Sequence, residues 1–164
     1  MAHRNLAAFA RWFLAQPLSA LRPPVDATFT VVTTGGRVEG MLLYRDAPYQ
    51  VELFNAPRGG GHFPPHRHPN VDSIEYLLSG QIGFHVAGRA APVEDVFAVA
   101  ADGAAKLCGT IVRIRPSDWH GADVGPAGGV FLSIQRWLNG VPPSSVVLDW
   151  EGPPHLELRR AQSP

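Results

Sequence analysis

The sequence predicts an all-β domain of the jelly-roll type with a short N-terminal helix, and three observations predict it. Short β-rich runs recur along the chain with Gly, Pro, Asn or Asp between them. Glycine (17) and proline (16) are abundant, as in a chain that turns often. No long helical period follows residue 20, which leaves an antiparallel sandwich or barrel as the way to bury the apolar faces. At 164 residues, 45% apolar and 17% charged, the chain has one domain's worth of core and is not of disordered composition.

The elements follow in order. In the arm 1–22, Asn5 can cap a helix whose Leu6, Phe9, Ala10, Phe13 and Leu14 share one face, and Pro17 stops it. Its Arg residues and lack of acid before Asp26 also fit a transit peptide, but the Trp12-Phe13-Leu14 cluster favours a helix packed on the domain or on a neighbouring subunit. The jelly-roll domain spans 23–152. Its strands are expected at Thr28–Thr34 and Arg37–Tyr44 around a Gly35-Gly36 hairpin turn, and at Tyr49–Phe54 before the loop Pro57–Gly61. Ile74–Leu78 should turn at Ser79-Gly80 into Ile82–Val86, and Ile111–Ile114, Val130–Leu138 and Val146–Trp150 complete the set. Between them, 90–107 fits a strand pair or a short helix equally well. The segment 153–164 reads as a flexible tail behind Pro153-Pro154.

Several function classes drop out. Fourteen basic side chains balance fourteen acidic ones, so no basic field exists to hold nucleic acid. No window is apolar for long enough to span a bilayer, and Arg11 with no small-residue cleavage site argues against a secretory signal. The single cysteine, Cys108, offers neither an internal disulfide nor a zinc pair, which suits a cytoplasmic protein. Unpartnered strand edges and the amphipathic helix predict a homodimer, with that helix or the strand near Thr28 covering a neighbour's sheet edge.

Seven histidines carry the chemical interest. On an extended segment His66 and His68 point the same way, about 7 Å apart, and can converge on one ion. His120, in the turn Pro116–Gly121 after the strand Ile111–Ile114, can close the site from another strand. Imidazoles with a carboxylate and water suit a divalent first-row metal. The competing reading is that these are loop histidines among Pro64, Pro65 and Pro69. His62 reads as an exposed loop residue, while His85 faces either the cavity or a polar surface. Gln135 alternates with Phe131, Ser133 and Trp137, a set that contacts substrate if it faces inward and is ordinary packing if not.

Gly60 with His66-x-His68, followed by a strand ending Tyr76-Leu77-Leu78-Ser79-Gly80, resembles the first motif of the cupins, and Arg115–Gly121 resembles their second. The resemblance covers about residues 40–138. It implies a small double-stranded β-helix, a jelly-roll barrel with one divalent metal ion inside, held by His66, His68 and His120. Where the family usually places a glutamate ligand, four or five residues after the second histidine, this chain has Asp72 and Ser73. Glu75 shares the strand face of the usual ligand and is preferred, with Asp72 and a three-histidine site completed by water as alternatives. The second motif departs at Ser117, where glycine is usual, and lacks an asparagine four residues after His120.

The family hosts many reactions, so its fold cannot choose one. The leading expectation is a mononuclear non-haem iron dioxygenase acting on a small aromatic or carboxylated substrate, with Fe(II) on the three histidines and Glu75, or with Glu75 as base. The alternatives are a Mn-, Ni- or Zn-dependent isomerase or lyase, and a cupin that binds a small ligand without turnover. No helix-turn-helix extension points to a transcription regulator.

Overall fold

Two long strands that pair with each other organise the domain, and four of the other seven strands among the described residues pair with one of them. A computed structural model describes residues 3–17, 28–33, 36–59, 61–87, 89–90, 111–144, 146–152 and 157–160. It contains a helix α1 (Leu6–Leu14) and strands β1 (Thr28–Thr33), β2 (Gly36–Asp46), β3 (Tyr49–Ala56), β4 (Gly61–His66), β5 (Val71–Val86), β6 (Arg89–Ala90), β7 (Ile111–Ile114), β8 (His120–Trp137) and β9 (Glu157–Arg160). All pairings are antiparallel. The main path runs β6-β5-β8-β3-β2-β1-β9, with β4 added on β8 and β7 on β5.

The sequence reading divides β5 into two strands, and the structure joins them. Ser79-Gly80 is a bend with register shifts at Leu77/Ser79 and Gly80/Ile82, not a chain reversal. β8 likewise runs on through Gly125–Gly128, so that Gly80 pairs with Gly129 but Ile82 with Val124. These irregularities switch the parity of both strands. Ser73, Glu75, Phe131 and Ser133 line the interior at odd numbers, whereas Phe84, His120 and Ala122 line it at even ones. Without the extra residues, half of each long strand would turn its apolar set to solvent.

Glycine is required at the bend. Gly80 has φ +84°, and a Cβ there would sit 2.2 Å from the Gly128 carbonyl oxygen. At Gly128, where φ is +72°, a Cβ would sit 2.6 Å from the Ala56 carbonyl oxygen.

The expected helix forms, with the Asn5 side chain accepting from the Ala8 N–H at 2.9 Å. Its face of Leu6, Phe9, Ala10 and Phe13 packs on the outer side of the chain's own sheet, against Tyr49, Ile74, Tyr76, Leu132 and Ile134. Phe9 stacks on Tyr49 at 4.3 Å, and the Tyr49 hydroxyl donates to the His3 carbonyl. A second apolar cluster, including Phe29, Phe54, Ile82, Phe84, Val112 and Phe131, fills the interior.

Three further expectations change. Val146–Asp149 is a 3-10 turn, not a strand. Part of the expected free tail is strand β9, which pairs with β1 from Phe29↔Arg160 to Val32↔Glu157 and covers an edge that would otherwise expose backbone donors. The third concerns the faces on which a dimer was argued. The helix face and the β1 edge are both covered within the chain. The Gly35 half of the β1–β2 turn, the stretch 91–110 and Cys108 lie outside the described residues. Among the described residues no helix is long and apolar enough to cross a membrane.

Gly80→Ala should destabilise the domain by about 3 kcal/mol, since it adds backbone strain to a clash that two paired backbones cannot relieve. Urea unfolding measures it. Gly59→Ala, where φ is also positive but nothing lies within 4 Å, should cost clearly less.

Candidate metal centre

Register brings the three histidines together. His66, the last residue of β4, lies directly opposite His120, the first of β8, and Val86 of β5 flanks His120 on the other side. His68 follows after Arg67, which bridges Glu151. The His66 and His120 ring centroids are 4.1 Å apart, and those of His68 lie 5.0 and 5.2 Å from them. Their ligand atoms all fall within 4.8 Å of one another.

Each ring is oriented by the same device. Nδ1 of His66 donates to the Pro64 carbonyl at 2.7 Å, that of His68 to the Asp149 carbonyl at 3.2 Å, and that of His120 to the Asp118 carbonyl at 2.8 Å. A carbonyl can only accept, so every Nδ1 carries the proton and every Nε2 keeps its lone pair. All three side chains are buried. Burial, and then the mutual repulsion of the rings, depresses the pKa of His66 to about 2. The same causes bring His68 to about 3, and burial lowers His120. Three neutral, convergent imidazole lone pairs in a desolvated site are the donor set of a divalent first-row metal, and no proton has to leave first.

The segment after the 3-10 turn holds this arrangement from one side. Trp150 stacks on His66 at 3.5 Å and 8°. The Asp149 carboxylate accepts from the Asn70 backbone N–H and side-chain amide, both at 2.8 Å, while its carbonyl takes the His68 proton. Arg67 and Glu151 exchange backbone hydrogen bonds at 2.9 Å and pair through their side chains at 2.7 Å. Sequence reasoning missed these roles because they are contacts between segments some 80 residues apart. The one local signal was an aromatic residue next to a turn-forming Asp.

The cavity in front of the triad has a volume of about 600 Å³, open mouth included. Phe54, Phe63, Phe84, Phe131, Val31 and Trp150 form apolar walls, and Ser73, Glu75 and Ser133 supply polar ones. Glu75 faces inward as the strand parity predicts. Its carboxylate is nevertheless not part of the group within 4.8 Å, so among the described residues the histidines alone converge. The Ser73 and Ser133 hydroxyls both donate to Glu75 Oε1, at 2.7 and 3.0 Å. Burial raises the Glu75 pKa to about 7 against the pull of these hydrogen bonds, with the nearby Glu52 adding to the rise.

Asp72, the alternative ligand, points to the other face, where Arg113 holds both its oxygens at 2.8 and 2.7 Å. The arrangement that remains is the three-histidine site. Gln135 also faces inward but is fully buried below the cavity and outside its lining. It donates to Glu52 at 2.9 Å and to Ser133 at 3.2 Å, and accepts from Trp137 Nε1 at 3.0 Å. Its place is to support the Ser133–Glu75 pair from behind. His62 and His85 lie on the outer face, where both meet Asp123.

No protein-family model matches the chain, and no curated protein does. Solved structures do. KdgF from Halomonas sp. is similar at a TM-score of 0.52 and 14% identity, over 73% of this chain and 89% of that one. A predicted oxalate decarboxylase from Thermotoga maritima gives 0.51 and 18%, over 73% and 99%. An RmlC-like cupin from Shewanella frigidimarina gives 0.48 and 17%, over 67% and 85%. At such identities the likeness is one of fold, and the fold is the double-stranded β-helix of the cupins that the two motifs led one to expect.

The depressed histidines link stability to pH. Their folded pKa values lie below the ordinary 6.5, so the unfolded chain binds more protons as pH falls. Their contribution is complete above pH 6.5 and is lost progressively on acidification. Glu75, raised from 4.5 to about 7, works in the opposite sense and contributes most at low pH. With two or three histidines against one carboxyl, the melting temperature of the metal-free chain should fall between pH 7 and pH 5. His66→Gln with His68→Gln should flatten that fall, which differential scanning calorimetry can follow.

Proposed function

We propose that this chain is a metal-dependent enzyme acting on a small carboxylated or aromatic substrate, and, in its most specific form, a mononuclear non-haem iron dioxygenase. The observation that carries the reading is the charge of the donor set. Three neutral imidazoles bring no charge to a divalent cation, and the cavity walls are mostly apolar, with Glu75 the one acidic side chain among the described residues that form them. In such a low-dielectric site an anionic group on the substrate is the natural counter-charge.

A bound divalent metal would supply Lewis acidity and open positions for a bidentate acid and, as iron, for dioxygen. His66, His68 and His120 would hold it through Nε2. The aromatic walls offer faces to an organic ring and exclude water from the reacting groups. Glu75 stands ready to exchange a proton. With both serine hydroxyls on Oε1, the proton belongs on Oε2, and in the metal-free chain burial raises the carboxyl's pKa to about 7, so it holds that proton more firmly than an ordinary carboxyl.

Glu75 also favours a second reading, because a buried carboxyl lining the cavity is the acid–base group that an isomerase or lyase working with Mn, Ni or Zn needs. The two readings separate on oxygen. Iron-loaded protein given small aromatic and aliphatic carboxylic acids should consume O2 in step with substrate loss. Turnover without oxygen uptake would give the site to proton-transfer chemistry, and tight binding without turnover would make it a ligand-binding cupin.

In either enzymatic case Glu75→Gln should lower kcat by about a hundredfold or more, with metal content unchanged.

A further inference from the structure

The described residues hold a second histidine cluster, on the side of the barrel wall away from the cavity. His62 on β4, Asp123 on β8 and His85 on β5 come from three neighbouring strands. Asp123 lies directly opposite His62 on one side and Gly83 on the other, and His85 is two residues beyond Gly83 on the same face. At Gly83 a Cβ would meet nothing closer than 4.0 Å, so no side chain separates the carboxylate from His85. Asp123 takes one ring on each oxygen. His62 Nδ1 is 3.2 Å from Oδ1, and His85 Nε2 is 2.7 Å from Oδ2. The side chains are 50%, 65% and 40% exposed for His62, Asp123 and His85.

We propose that His62, Asp123 and His85 form a second metal site, for a divalent cation of the zinc, nickel or copper class, distinct from the cavity centre. Two imidazoles and a carboxylate are a donor set that such ions accept. Nitrogen–oxygen separations of 2.7 and 3.2 Å match the spacing of neighbouring ligands around an ion with bonds of about 2.0–2.2 Å. The cation takes the place of the two shared protons. Each proton moves to the other nitrogen of its ring or to solvent, and no redox change is involved.

This site differs from the cavity triad in two physical respects. Its rings must turn to close on an ion, since the triad is the one group among the described residues whose ligand atoms already lie within 4.8 Å. Its donors are also exposed, so the remaining coordination positions stay open to water or to a ligand from another molecule. Both differences make it the weaker of the two sites. The strand parity that turns His120 inward turns Asp123 outward, so the two ions would lie on opposite sides of β8.

Calorimetric titration of the full chain with Zn²⁺ alone at pH 7.5 tests this. The expected result is two classes of site with one equivalent each. His62→Ala with His85→Ala should abolish the weaker class and keep the tighter one, and Asp123→Asn should weaken the second class by about tenfold or more. The variant with His66, His68 and His120 all changed to Ala should retain only the weaker class. A single equivalent on the unaltered chain, or two undiminished equivalents after loss of His62 and His85, would overturn the proposal. The side chains at 62, 85 and 123 are exposed, and an unchanged melting temperature of those variants without zinc verifies that their fold is intact.

Discussion

The register in which β8 pairs with β4 on one side and β5 on the other is the constraint on which the site depends. It sets His66 across from His120 and Val86 beside it, joining stretches of chain more than 50 residues apart at a single rung. A slip of one residue would turn each histidine to the opposite face and put the neighbouring apolar side chains into water. The interior packing of Ala122, Val124, Ile82 and Phe84 therefore fixes the metal ligands as well as the core.

Burying so many polar groups is costly unless each is partnered, and the interior shows how that cost is met. The histidines remain neutral and give their Nδ1 protons to backbone carbonyls. Glu75 is tied through Ser133 and Gln135 to Glu52, and Glu52 also accepts from the Val146 N–H at the start of the segment that carries Asp149 and Trp150. Ligand orientation and the proton-bearing carboxyl thus share one hydrogen-bonded scaffold. The outward face of the same sheet is sealed by α1, which makes the β3–β8–β5 layer apolar on one side and partly polar on the other.

Much of this was legible in the residues. Alternation put Ser73 and Glu75 on one strand face and Phe131, Ser133 and Gln135 on another, both of which turn inward in the structure, and the capped amphipathic helix was evident from Asn5 to Leu14. What parity could not supply was depth: Gln135 points inward yet lies beneath the cavity, and Glu75 reaches the cavity without joining the histidines. Local turn signals misled at Ser79-Gly80, because a glycine that marks a reversal in a short hairpin marks a bulge when a long partner strand continues alongside. The apolar run at Val146 was read as a strand for a related reason, since so short a run fits a 3-10 turn equally well. The pairing of Glu157–Arg160 with β1 has no side-chain signature, because an edge strand is recruited by backbone groups.

X-ray absorption of the chain loaded with one equivalent of zinc reads the donor set itself. Three imidazole nitrogens are expected at about 2.0–2.1 Å, with oxygen completing the coordination shell. A first shell with fewer than three imidazoles, or an unchanged one after His120→Ala, would contradict it.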